Sequence, residues 1–295
     1  MPELPINTTE SCDVKQTLLP IDKVLTILQD RAEAVATVET VALLNARGRI
    51  LAEDLSSSVD VPPADNSAMD GYVYNAEDVS KSSSKAFNVS QRICAGEAGQ
   101  PLEQGTVARI FTGAPIPQGA DTVVMQESCE QQGDKVVINS FPENGANVRK
   151  AGEDIRQGSV VLTAGHKLRA QDLGLAASVG VGELSVKRRL KVAIFFTGDE
   201  LREPGETLDP GQIYNSNRFT LNGLLESLNC EVVDLGIIED TLVATQQALL
   251  EAAEKADLVM TSGGVSVGEE DYIRKALEEN GKLELWRVNV KPGKP

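Results

Sequence analysis

The sequence has little of what several common active sites need. Among its 295 residues the only histidine is His166, so a catalytic triad or a multi-histidine metal site would depend on that side chain alone. His166 stands in a glycine-containing turn, which favours an ordinary surface residue. The four cysteines, Cys12, Cys94, Cys129 and Cys230, form no C-x-x-C pair. They favour free thiols over a disulfide framework or a zinc site, and we expect a cytoplasmic protein.

Clustered positive charge and long apolar runs are missing as well. Lys and Arg number 28 against 44 Asp and Glu, and the formal net charge is −16. The one basic run, at 187–191, is too short to neutralise the phosphates of a nucleic acid or an anionic membrane. No apolar run approaches the roughly 18 residues of a membrane span, and residues 1–10 lack the pattern of a signal peptide. We therefore expect neither a nucleic-acid nor a membrane partner.

The pattern of apolar and turn-forming residues changes twice along the chain, which indicates two or three structural units. Residues 1–14 resemble a polar tail, and apolar residues at helical spacing over 21–28 predict an amphipathic helix. A segment at 41–44 is compatible with either helix or strand. From 56 to 150, short β-prone runs alternate with glycine and proline turns, which predicts a small β-rich domain. Residues 151–187 mix a strand with a helix, and packing of this part against the first helix would make the β-rich domain an insertion.

From Leu190 onward, strands and helices alternate regularly. Such alternation predicts β-α-β units, a parallel sheet and right-handed crossovers. Asn215 or Ser216 is the expected N-cap of the first helix in this part. The predicted elements are strands at 192–196, 232–238, 258–261 and 283–290, with helices at 221–228, 242–253 and 272–277; the preceding region adds a strand at 160–162 and a helix at 173–179.

Carboxylates follow three of the predicted strands. Asp199 and Glu200 follow the first, Glu239 and Asp240 follow the second, and Glu269, Glu270 and Asp271 end the glycine-rich loop 261–271 after the third. Ligands of open parallel sheets bind beyond the carboxyl ends of the strands, where these three loops meet. Helix capping explains one or two such acids, whereas the glycine-rich loop could also form an anion-binding nest. Because the carboxylates would repel one another, a divalent cation is expected, and all-oxygen ligands favour Mg²⁺.

The glycine-rich loop matches neither of the common nucleotide-binding patterns. It is not followed by Gly-Lys-Ser/Thr and does not read G-x-G-x-x-G, so both phosphotransfer from a nucleotide and nicotinamide chemistry lack their loops. The segment 291–295, Lys-Pro-Gly-Lys-Pro, follows the fourth predicted strand and so lies at the same sheet edge. It is either a lysine-protected turn or a contact to an anionic ligand. The neighbouring glycine-rich loop favours the ligand contact.

Six segments in order resemble the molybdopterin molybdenumtransferases, the MoeA and gephyrin E-domain family. Composition alone interprets the first, D-N-S-A-M-D-G-Y, as two turns around a short segment. The resemblance extends from about Leu18 to Pro295, and so many ordered motifs are far more specific than any one of them. The segments are D-N-S-A-M-D-G-Y at 65–72, F-T-G-A-P at 111–115, G-E-D-I at 152–155, T-G-D-E-L at 197–201, S-G-G-V-S-V-G at 262–268 and K-P-G-K-P at 291–295.

This resemblance implies a multidomain α/β plus β architecture. A MogA-like parallel α/β domain that binds molybdopterin would occupy 188–295. A helical and β linker domain would be discontinuous, at 15–57 and 152–187, with a small β-rich domain inserted at 58–151. Members of the family continue past K-P-G-K-P with more of the α/β domain and a further β domain, so the chain is expected to be C-terminally truncated, and its own activity depends on that.

The resemblance also implies a reaction. Such enzymes take adenylylated molybdopterin and molybdate, insert the molybdenum with the help of Mg²⁺, and release AMP. They act as homodimers alongside a molybdopterin adenylyltransferase and other cofactor-biosynthesis proteins. The alternatives are a gephyrin-like scaffold and a non-catalytic molybdopterin-binding protein. By motif, the expected catalytic residues are Asp70, Thr112, Asp154, Glu200, Asp240 and Asp271; Glu200, Asp240 and Asp271 are also the expected metal ligands, and Ser67, Ser262, Gly263, Gly264, Lys291 and Lys294 are the expected ligand contacts.

Overall fold

The chain forms two compact units in a computed structural model that describes residues 19–263, 272–281 and 288–290. One unit comprises residues up to Thr37 and from Arg188 onward, and the other is Val38–Lys187. Each unit has its own hydrophobic clusters. No helix in the described ranges is long and apolar enough to cross a membrane. The predicted domain boundaries at 57/58 and 151/152 fall inside the second unit and stay predictions.

Regular elements account for much of the described chain. The α-helices are α1 Ile21–Arg31, α2 Ala76–Lys81, α3 Ala170–Ser178, α4 Ser216–Ser227, α5 Leu242–Lys255 and α6 Tyr272–Asn280. The strands are β1 Val38–Ala42, β2 Ile50–Leu51, β3 Leu55–Ser56, β4 Asn66–Ser67, β5 Gly71–Tyr74, β6 Ala86–Ile93, β7 Val107–Ile110, β8 Thr122–Met125, β9 Cys129–Gln132, β10 Lys135–Ile138, β11 Val148–Arg149, β12 Val160–Leu162, β13 Glu183–Lys187, β14 Lys191–Thr197, β15 Leu201–Arg202, β16 Ile213–Tyr214, β17 Glu231–Ile238 and β18 Leu258–Ser262.

A parallel sheet organises the first unit. β14 lies in its centre, with β17 on one side and β18 on the other, and both pairings are parallel. Ile194, Phe195 and Phe196 are almost completely buried because α4 covers one face of the sheet while α5 and α6 cover the other. A strand buried on both faces is expected to be continuously apolar, as this one is. The prediction of β-α-β units is therefore confirmed.

The predicted boundaries in this unit are mostly accurate to a few residues. Asn215 caps α4, since its side chain accepts a hydrogen bond from the Arg218 backbone N–H. The fourth predicted strand, 283–290, falls largely outside the described residues. Within them, Val288 forms a parallel bridge with Leu19, whose carbonyl accepts from the Asn289 N–H.

The second unit is built around a six-stranded sheet with the order β8-β5-β7-β6-β10-β9. All pairings are antiparallel except that of β6 with β7. Side chains alternate along β5, so that Tyr72 and Tyr74 pack into one apolar cluster and Val73 into another. The expected small β-rich region is confirmed, and the sheet is closely packed on both faces.

The remaining part of the second unit carries three small sheets and one helix. β13 pairs with β1 and β2, β12 pairs with β3, and β11 pairs with β4. The ambiguous segment at 41–44 is the end of β1 followed by a short 3₁₀ turn, Leu43–Asn45. The strand at 160–162 is confirmed, and the helix predicted from 173 begins three residues earlier, as α3.

His166 differs from its expectation as an ordinary surface residue. Its side chain is only 31% exposed, and Nε2 lies 2.8 Å from Oδ2 of the buried Asp172. Asp172 also accepts hydrogen bonds from the backbone N–H and the guanidinium of Arg169 at the start of α3. These donors hold the pKa of Asp172 well below its usual range, the Arg169 side chain having the largest effect. His166 therefore belongs to the N-terminal anchoring of a helix.

Gly71 provides a local test of the six-stranded sheet. A Cβ at this position would lie 1.8 Å from the Val124 carbonyl oxygen, so Gly71→Ala must displace β5 from β8. We expect a loss of about 3 kcal/mol in the free energy of unfolding, measured by urea denaturation. Gly174→Ala is the matched control, because that exposed helical position has open space around it. The control should gain roughly 0.5–1 kcal/mol, and equal effects in the two variants would contradict the packing described.

Candidate functional site

The carboxyl end of β14 is the centre of the candidate site in the first unit. Its last residue, Thr197, is 3% exposed, and its hydroxyl donates a 2.8 Å hydrogen bond to Oδ1 of Asp240. Asp240 follows β17, the neighbouring strand, so the parallel pairing brings the two side chains together. β17 and β18 flank β14 on opposite sides, which makes this edge the point where the chain's strand order reverses. Ligands of open α/β sheets bind at such points.

The end of β18 lies against the same residue. A Cβ on Gly263 would be 2.2 Å from the Thr197 carbonyl oxygen, and Gly263 has a φ of 113°, so only glycine fits here. Just before it, the hydroxyl of Ser262 accepts a 2.8 Å hydrogen bond from the side-chain amide of Asn217. Asn217 is in the first turn of α4, so the amino end of that helix is tied to the strand edge.

Glu200 belongs to the loop that leaves β14. Its carboxylate lies over the α-carbon of Gly198, where an added Cβ would come within 2.6 Å of Oε2. The Leu201 N–H donates to the Gly198 carbonyl, and the Glu200 carbonyl accepts from the Ile213 N–H. These backbone bonds fix the turn that carries Glu200, and the Glu200 carboxylate lies beside Gly198, the first residue after β14. The structure thus places Glu200, Asp240, Ser262 and Gly263 at one sheet edge.

Four of the expected site residues, Gly264, Asp271, Lys291 and Lys294, lie outside the described residues. In the ranges that are described, no group of three or more His, Cys, Asp or Glu side chains is positioned to hold a metal ion. The donors present at the edge are carboxylate, hydroxyl and carbonyl oxygens, which is the chemistry that Mg²⁺ requires. Glu200 and Asp240 fit such an ion in donor type.

The second unit contains the other expected residues. Thr112 donates two hydrogen bonds, from its backbone N–H and from its hydroxyl, to Oδ1 of Asp70, each 2.8 Å long. These bonds hold the pKa of Asp70 below its usual range, with a smaller contribution from the charge of Arg109. Asp70 is therefore an ionised acceptor at neutral pH rather than a proton donor. The expected pair Asp70 and Thr112 is in direct contact.

Asp154 and Ser67 have clear partners in the same unit. Both carboxylate oxygens of Asp154 accept hydrogen bonds of 2.6 Å from the guanidinium of Arg149. Ser67 is buried, and its hydroxyl donates a 2.6 Å hydrogen bond to the Met69 carbonyl. That bond shapes the turn before Asp70, so Ser67 acts on the site through the backbone. Its expected role as a direct ligand contact stays a prediction.

Sequence reasoning missed three side chains that orient the named residues. Thr197 orients Asp240, Asn217 fixes Ser262, and Arg149 pairs with Asp154. A usable signal was present for the first two. Thr197 is the polar residue that ends a buried apolar strand, and Asn217 lies in the first turn of the following helix. For Arg149 the sequence offers only its spacing from Asp154.

The first unit is a parallel α/β domain whose strand ends carry oxygen-rich side chains, the candidate ligand site. Two family models cover almost all of the chain: the "MoeA N-terminal region (domain I and II)" matches residues 19–180, and the "Probable molybdopterin binding domain" matches residues 193–295. The chain belongs to the MoeA family of molybdopterin molybdenumtransferases, which are transferases of molybdenum cofactor biosynthesis.

Named relatives agree with this assignment. The chain is 41% identical to a molybdopterin molybdenumtransferase of Haemophilus influenzae, and the match covers 94% of this chain and 69% of that protein. It is 40% identical to a molybdopterin molybdenumtransferase of Nostoc sp., and that match covers 91% of this chain and 63% of that protein. It is 33% identical to gephyrin of Dictyostelium discoideum over 94% of this chain and 42% of that protein. The solved MoeA structure of Pyrococcus horikoshii matches with a TM-score of 0.80 and 31% identity, covering 95% of this chain and 71% of that one. The chain thus spans about two thirds of the length of the molybdenumtransferases it matches.

The Thr197–Asp240 contact can be tested without any ligand. Thr197→Val keeps the shape of the side chain but removes the hydrogen bond to the Asp240 carboxylate. We expect a loss of about 1.5 kcal/mol in the free energy of unfolding, because the bond involves a charged acceptor. Thr197→Ser retains the hydroxyl and should lose clearly less. If the valine and serine variants unfold alike in urea, the hydroxyl does not hold Asp240.

Proposed function

We propose that the protein inserts molybdate into adenylylated molybdopterin and releases AMP. The observation that carries this proposal is the strand edge, where Thr197 holds Asp240 beside Ser262 and Gly263 in a domain of molybdopterin-binding type. The relatives named molybdopterin molybdenumtransferase support the same reaction class. Molybdopterin and molybdate are the substrates in this proposal.

Mg²⁺ is the cation that we propose for this edge. Glu200 and Asp240 supply carboxylate oxygens there, and we propose Asp271 as the third ligand by its position in the sequence. The ion would neutralise the negative charge of the phosphoanhydride that links molybdopterin to AMP. Thr197 would keep the Asp240 carboxylate facing the strand end, since its hydroxyl bonds only one of the two carboxylate oxygens.

We propose that the remaining expected residues bind the substrate's anionic groups. Lys291 and Lys294 supply positive charge, and Ser262, Gly263 and Gly264 supply hydroxyl and backbone N–H donors. Asp70, Thr112 and Asp154 complete the proposed set from the second unit. We propose that the protein is a cytoplasmic homodimer and that a molybdopterin adenylyltransferase supplies its substrate.

AMP release from adenylylated molybdopterin in the presence of Mg²⁺ and molybdate tests this function. We expect Asp240→Asn and Glu200→Gln to lower the rate at least about 100-fold, because each removes a carboxylate that would hold the Mg²⁺ at the phosphoanhydride. Asp209→Asn, an exposed acid in the loop between β15 and β16, is the matched control and should keep the wild-type rate.

The same assay identifies the alternative. The alternative is a gephyrin-like scaffold or a non-catalytic molybdopterin-binding protein, and the relatives named molybdopterin molybdenumtransferase do not favour it. A wild-type protein that binds molybdopterin but releases no AMP under any metal condition would overturn the transferase proposal in favour of that scaffold. Equal rates of AMP release in Asp240→Asn and the control would instead show that the Asp240 carboxylate at the strand edge takes no part in the reaction.

A further inference from the structure

Two arginines on the six-stranded sheet form a feature that the proposed site does not use. Arg92 on β6 and Arg109 on β7 are directly opposite each other in the pairing of these strands. Like charges at directly opposed positions destabilise a sheet, because their side chains point to the same face at short range. Such a pair of arginines therefore needs a compensating interaction. Carboxylates are plentiful in a chain with a net charge of −16, so they are the partners to expect.

The compensation visible in the structure is an aromatic ring rather than a carboxylate. The guanidinium carbons of Arg92 and Arg109 lie 4.5 and 4.7 Å from the centroid of the Phe111 ring. Arg109 also lies 5.1 Å from the centroid of Tyr72, the residue opposite it on β5. These cation–π contacts hold both guanidiniums against the Phe111 ring but leave both positive charges in place.

The polar partners of the two guanidiniums are neutral. Arg109 donates to the Gly71 carbonyl at 3.1 Å and to the Gln126 side-chain oxygen at 2.6 Å. Arg92 donates to the thiol of Cys94 at 2.9 Å. In the described part of the chain neither arginine forms an ion pair with a carboxylate, although the charge of Arg109 acts on Asp70, whose Oδ1 accepts both hydrogen bonds from Thr112. Two guanidiniums thus extend from opposed positions on one face of the sheet, and neither is hydrogen-bonded to a carboxylate of the described residues.

We infer that Arg92 and Arg109 form a binding site for a tetrahedral oxyanion on the six-stranded sheet. Guanidiniums present paired N–H donors that match the oxygens of phosphate-like groups, and the Phe111 ring holds them in place before the anion arrives. Either a phosphate ester or free molybdate supplies this chemistry. The role of that anion as a substrate rests on the proposed function, whereas the binding itself does not.

Titration with inorganic phosphate and, separately, with molybdate tests the site without any turnover. The backbone amide signals of Phe111 and Thr112 are followed by NMR at constant ionic strength, since screening alone changes weak electrostatic binding. We expect saturable shifts in the wild-type protein. Arg92→Gln should weaken the binding about tenfold, because a charge-assisted hydrogen bond is lost. Arg92 is exposed, and among the described residues its guanidinium donates to the thiol of Cys94 and to no backbone carbonyl, so this variant should fold normally.

Two further variants make the result decisive. Arg109→Gln should weaken the binding at least as much as Arg92→Gln, while Arg47→Gln, an exposed arginine near β2, should leave it unchanged. Shifts with phosphate alone would assign the site to a phosphate ester, and shifts with molybdate alone would assign it to the free oxyanion. The absence of saturable shifts with either anion, or an equal loss in Arg47→Gln, would overturn the inference. Because AMP release is not measured, failure here is distinct from failure of the proposed reaction.

Discussion

The burial of β14 between two parallel neighbours is the constraint on which the candidate site depends. Ile194, Phe195 and Phe196 are covered on both faces, so the strand cannot shift without exposing large apolar side chains. Its end is therefore a fixed point. Thr197 stands there, and Asp240 and Gly263 approach it from the two neighbouring strands. Three loops that are far apart in the sequence meet because one strand is held in register.

The second unit also holds polar side chains in fixed positions, but without a described strand that lies between two parallel neighbours. There the polar residues are held by local partners: Asp70 by the backbone and hydroxyl of Thr112, and Asp154 by the guanidinium of Arg149. Gly71, which directly follows Asp70, is held in place because β5 approaches β8 closely at this position. The second unit thus offers both ordered carboxylates and ordered guanidiniums, although the chain as a whole is strongly acidic. Such local ordering is what an anionic ligand would require from an acidic protein.

Much of this could be predicted from the sequence, for identifiable reasons. The apolar run of β14 and the alternation after it predict the parallel sheet, and the motifs predict the family. Tertiary contacts were harder. The bonds from Thr197 to Asp240 and from Asn217 to Ser262 join residues 43 and 45 positions apart, and the local signals at Thr197 and Asn217 do not identify the partner of either residue. The pairing of His166 with the buried Asp172 could not be predicted, because it becomes apparent only once α3 is in place.

A crystal structure with Mn²⁺ in place of Mg²⁺ would test the central claim most directly, since the anomalous signal of the ion locates it without prior assumptions. The account predicts a peak at the carboxyl end of β14, at coordination distance, on the order of 2.2 Å, from the carboxylates of Asp240 and Glu200. It also predicts that the peak disappears in Asp240→Asn. An Mn²⁺ peak at another position, with no peak at the strand edge under saturating Mn²⁺, would show that this edge is not the cation site.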